Sequence, residues 1–136
     1  MIASEAAASL LIQAYFSAGW GSACAVIYDD DPASIPDNAP FCRLTIKHGE
    51  GDQSSMGSPG SNRHEQRGRV YAQICVPQGD AGLTAKSLAS QAAALFRGKS
   101  TNEIEFYQTA VREQGNDGRG YFVVTATARF RYPLYA

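Results

Sequence analysis

The sequence predicts an α+β domain, a mostly antiparallel or mixed sheet with two helices packed on one face. Three observations carry this. Arg69–Val76 alternates strictly, with Val70, Ala72, Ile74 and Val76 on one side and Arg69, Tyr71, Gln73 and Cys75 on the other, the period of a half-buried strand. Tyr121–Tyr132 alternates in the same way, Phe122, Val124, Ala126, Ala128, Phe130 and Tyr132 against Thr125, Thr127, Arg129 and Arg131. Between them, Ala85, Leu88, Ala89, Ala92 and Phe96 recur at helical spacing, a small-residue stripe that brings a helix close to a sheet. One apolar and one polar side per strand suits an antiparallel sheet with one wet face.

The elements follow in chain order. Ser4 to about Ser17 reads as the first helix, capped by Ser4, with Glu5 at its positive end and Ala7, Leu10, Leu11, Ala14 and Tyr15 as the apolar face. Gly19-Trp20-Gly21 ends it, with Trp20 as a core plug. Cys24–Tyr28 is a short strand, closed by Asp29-Asp30-Asp31-Pro32. Three carboxylates offer oxygen ligands to magnesium, but neighbouring side chains of an extended chain point apart and Asp-Pro is turn chemistry; no metal site is expected. After the proline-rich lead-in Ile35–Pro40, Phe41–Lys47 is a strand, with Cys42, Leu44 and Ile46 opposed to Arg43, Thr45 and Lys47.

His48–Gln66 is rich in glycine and serine, with Met56 almost its only apolar residue, and reads as a long loop of the kind that often carries function. Arg63, His64, Arg67 and Arg69 cluster at its exit, where they suit phosphate, an acidic partner or plain solvent. Pro77 ends the central strand and Gln78–Gly82 turns the chain, with Asp80 as N-cap of the second helix. Arg97 and Gly98 stop that helix. Ile104–Val111 is a strand bulged at Phe106-Tyr107, and Gly115–Gly120 is a hairpin turn. Pro133 stops the last strand, leaving Leu134-Tyr135-Ala136 as an apolar tail with no core to join.

The 136 residues suit one domain, 1–136. A net charge of −1 argues against a chain that coats nucleic acid, which needs an excess of Lys and Arg. Cys24, Cys42 and Cys75 form no Cys-x-x-Cys pair and read as buried free thiols in a reducing compartment. No run approaches the roughly 18 apolar residues of a membrane span, and the alanine-rich start lacks the basic segment of an export signal, so the expected location is the cytoplasm. His48 and His64 are the only histidines, and no Gly-x-Ser-x-Gly elbow accompanies the many serines. Glu103 and Glu105 share one side of a strand and read as protection of a sheet edge. No catalytic residue, no cofactor and no enzyme activity is expected.

Four stretches carry a resemblance: Pro36–Phe41 before the Arg-Leu-Thr strand, Arg67–Val70 through Val76–Gly82, Ala89 to the Phe96-Arg97-Gly98 closure, and Asn116-Asp117-Gly118 before the final strand and Tyr132-Pro133. In order and spacing they resemble the tail-terminator-like (tail-completion) proteins of tailed bacteriophages and prophages, over most of the chain after Pro36. The resemblance implies a virion structural protein. Its subunits form a ring, typically a hexamer, on the head-proximal end of the tail tube. The ring ends tube polymerisation and offers a surface for joining the head. Partners would be other copies, the tail-tube protein and the head–tail connector proteins, with DNA passing through the lumen without sequence-specific binding and no membrane involved. The site of action would be the host cytoplasm during assembly and then the virion tail. Met56, Arg63, His64 and Arg67 are then candidates for the tail or neck partner, and Arg129, Arg131, Tyr132 and Tyr135 for subunit contacts. Another connector or minor tail protein, or a small α+β enzyme or ligand-binding module, are the competing readings.

Overall fold

The computed structural model describes residues 2–21, 24–28, 39–53, 56–57, 62–79 and 82–135. Their elements are α1 (Glu5–Trp20), β1 (Ala25–Tyr28), β2 (Phe41–Gln53), β3 (Arg63–Pro77), α2 (Leu83–Phe96), β4 (Ser100–Thr101), β5 (Ile104–Asn116) and β6 (Tyr121–Tyr135). The strands make one sheet in the order β1-β2-β3-β6-β5-β4. β1 runs parallel to β2 and every other pair is antiparallel, so the sheet is mixed. The fold is α+β, with both helices against the same face.

That face is the one the alternation gives. Cys42 and Leu44 of β2, Val70, Ala72, Ile74 and Val76 of β3, and Val124, Ala126, Ala128 and Phe130 of β6 are buried under the helices. α2 buries Ala85, Leu88, Ala89, Ala92, Ala93 and Phe96 and lies on β3, β5 and β6. It stops where Arg97 caps it and Gly98 turns left-handed at φ 66. Asp80 lies outside the described residues; the N-cap of α2 is Gly82.

α1 differs from expectation. It continues to Trp20 and buries Ala8, Ile12, Phe16 and Trp20, while Leu10 is 67% exposed. An alanine-rich helix is apolar nearly all round, so its spacing alone does not say which stripe docks. Trp20 does plug the core: it stacks on Phe16 at 5.2 Å and its Nε1–H donates to the Cys24 carbonyl at 3.2 Å. The rings continue through Phe96, Phe106 and Phe130 to Tyr132, tying both helices to the sheet.

The stretch expected as a long loop is largely strand. β2 runs on to Gln53 and β3 starts at Arg63, paired Gly51↔Gln66, Asp52↔Glu65 and Gln53↔His64 beyond a bulge at His48/Gly51. Gln66, buried, donates its amide to the Gly49 carbonyl at 2.8 Å and so satisfies the bulge. Nor does Pro133 stop β6, which pairs with β3 as far as Arg63↔Tyr135. β5 accompanies β6 only to Arg131, so Pro133 sits at a local edge where a missing N–H costs no ladder bond. Two residues on, the Tyr135 N–H points the same way and donates to the Ile2 carbonyl at 3.0 Å. Leu134 is buried beside Ile2 and belongs to the core. The expected bulge at Phe106/Gln108 and the hairpin turn are present; Asp117 Oδ1 accepts from the Arg119 and Tyr121 N–H groups at 2.7 and 3.1 Å. Glu103 falls in the β4–β5 turn, and Glu105, on β5, is engaged with Arg131. The carboxylates Asp29–Asp31 lie outside the described residues.

Candidate interaction surface

The face away from the helices carries a small buried cluster at one end, Ile27, Phe41, Cys75 and Val123; over the rest it is open, and strand register fills it with cations. β3 and β6 set Arg63 opposite Tyr135, Arg67 opposite Arg131 and Arg69 opposite Arg129. β2 adds Lys47 opposite Arg69, and β5 adds Gln108 opposite Arg129 and Arg112 opposite Thr125. Because neighbouring strands lie about 4.8 Å apart, Lys47, Arg69 and Arg129 form one row of like charges.

The adjoining row is compensated. Arg67 pairs with Glu65 at 3.2 Å, and the Arg131 Nε–H donates to Glu105 Oε2 at 2.9 Å while its guanidinium lies 5.1 Å from the Tyr107 ring centre. Among the described residues, Lys47, Arg69 and Arg129 make no ion pair. Two shallow depressions flank them. One, of about 370 Å³, includes Lys47, Glu50, Arg67 and Tyr107 in its wall; the other, of about 170 Å³, is bounded by Tyr71, Gln108, Arg112 and Thr127; Arg69 and Arg129 belong to both.

Of the residues expected to touch partners, Arg63, Arg67, Arg129, Arg131 and Tyr135 share this open face. Met56, 87% exposed, lies in the β2–β3 connection. The loop and the C-terminal segment, distant in sequence, thus converge at one end of the sheet. His64 faces the helix side, opposite Leu134. Tyr132 is a correction: only 1% of it is exposed, so it is core and presents nothing to a partner.

A polar chain on the helix side was not anticipated. Ser9 Oγ lies 2.8 Å from His48 Nε2, and Tyr132 Oη lies 3.1 Å from His48 Nδ1. The signal was available, since His48 extends the Cys42-Leu44-Ile46 alternation by one step. Burial holds the imidazole below its ordinary value, with Glu5 opposing, and burial raises the Tyr132 phenol. A neutral phenol does not hold an imidazolium as a carboxylate does, so the chain reads as a fastening of α1 to the sheet.

The three thiols are free. Burial pushes all of them up, Cys75 to about 11, so they stay protonated and poorly nucleophilic at neutral pH. Among the described residues no group of His, Cys, Asp and Glu could hold a metal ion, and no helix is long and apolar enough to cross a membrane.

Neither a family model nor a curated protein matches this chain. Solved structures do. In one, of a protein whose name describes no function, the TM-score is 0.66 at 18% sequence identity, covering 94% of this chain and 97% of that one. The two share a fold. At that identity the likeness extends no further.

Proposed function

We propose that this chain is a structural subunit of a bacteriophage tail. Copies assemble head to tail into a ring, a hexamer, that caps the head-proximal end of the tail tube, ends its growth and presents a surface to the head–tail connector. The reading rests on the sequence resemblance. One geometric observation supports it: the β3–β6 register joins the β2–β3 arm and the C-terminal strand into one exposed, arginine-rich end of the sheet. A head-to-tail ring buries two complementary patches per copy and closes on itself, so growth ends without any bond being made or broken. Arg63, Arg67, Arg131 and Tyr135 are the contact residues, arginine and tyrosine being enriched in interfaces. The host cytoplasm during assembly and the virion tail are where it acts.

Electron microscopy of tails assembled with and without the protein tests this. Overlong, unjoined tubes in its absence support the reading; tubes of normal length refute it. Labelling elsewhere than the head-proximal end would favour another connector or minor tail protein.

A further inference from the structure

The uncompensated row in the middle of the open face is independent of the ring reading. Like charges directly opposed on neighbouring strands are destabilising, and here three stand side by side. The row on one side, Arg67 and Arg131, is neutralised by Glu65 and Glu105; Lys47, Arg69 and Arg129 are not. We infer that Arg69 and Arg129 of this row, with Arg112 in the smaller depression beside them, are a seat for the phosphodiester backbone of a single nucleic-acid strand.

The depression of about 170 Å³ supports a phosphate. Three guanidiniums, Arg69, Arg112 and Arg129, surround it, with Tyr71, Thr127 and Gln108 as further donors and no carboxylate in its wall. The larger depression includes Glu50, so the strand is assigned to the smaller one. Guanidinium forks match phosphate oxygens in pairs. One ring adjoins the cations, Tyr71, on the same side of β3 as Arg69 and in the wall of the same depression. A basic groove with an adjacent ring is the chemistry that holds single strands without regard to sequence. An acidic protein surface would engage the guanidiniums and leave the ring unused.

Fluorescence anisotropy with a labelled dT20 oligonucleotide tests this on the full chain. Micromolar binding is expected at 50 mM salt, with log K falling against log salt at a slope of about −2, from about 0.7 per phosphate contact over three contacts. The Arg69→Gln/Arg129→Gln double variant should bind at least tenfold more weakly, its slope reduced by about 1.4. Lys86→Gln/Arg97→Gln changes the net charge equally on the helix side and should stay within twofold of wild type. Circular dichroism checks folding, and Arg112→Gln alone, with a slope reduced by about 0.7, serves if the double variant does not fold. Absence of binding at 50 mM salt, equal loss in the off-face variant, or displacement of the oligonucleotide by polyglutamate at equal charge concentration would each overturn the assignment.

Discussion

At Gly68 the sheet has no room for a methyl group. A Cβ there would sit 2.5 Å from both the Lys47 carbonyl oxygen and Phe130 Cζ. Gly68→Ala should therefore cost about 1–3 kcal/mol of stability, read from urea unfolding, as overpacking does. At His48 burial depresses the folded-state value below 6.5. The unfolded chain then takes up a proton at a higher pH than the folded one. Stability from this site is complete above pH 6.5 and is lost as pH falls through the folded value. Melting curves between pH 7.5 and pH 5 should show a decline that His48→Gln reduces. Arg69 stands between two cations, so Arg69→Gln should stabilise the chain by about 0.2–1 kcal/mol at low salt. In 1 M salt, where the Debye length is about 3 Å, that gain should vanish.

At the scale of elements, β6 shows what local chemistry hides. Pro133 and the three residues after it read as a frayed tail, yet Leu134 is buried against Ile2 from the other end of the chain. Leu134→Ala should cost about 2–3 kcal/mol, the lower part of the range for a buried leucine, whereas a fraying tail would lose nothing. β3, α2 and the helix side of β6 were legible because each places apolar residues at one period. The strand ends were not: Gly51 and Asp52 carry no apolar alternation, and pairing with Gln66 and Glu65 is what makes them strand. α1 was legible as a helix but not as a docked face, because its alanines leave too little contrast. Replacing Gln53–Ser61 by a two-residue turn should leave the melting temperature nearly unchanged, since Gln53 and Met56 are exposed, and, on the tail reading proposed above, should impair closure of the tube.

For the molecule as a whole, a charge sum conceals where the charges lie. The chain carries −1 in total, but the open face gathers Arg43, Lys47, Arg67, Arg69, Arg112, Arg129 and Arg131, and strand register, which no sum contains, puts them there. The candidate contact residues were legible as a list and not as a surface; Tyr132 left that list because alternation turns it under the helices. The buried stack from Trp20 onward has a practical consequence. Trp20 is the sole indole in the chain, 5% exposed and packed on Phe16. Its emission should be blue in the native protein and move to the red as soon as α1 lifts from the sheet, so the chain carries its own optical probe of whether that helix is seated.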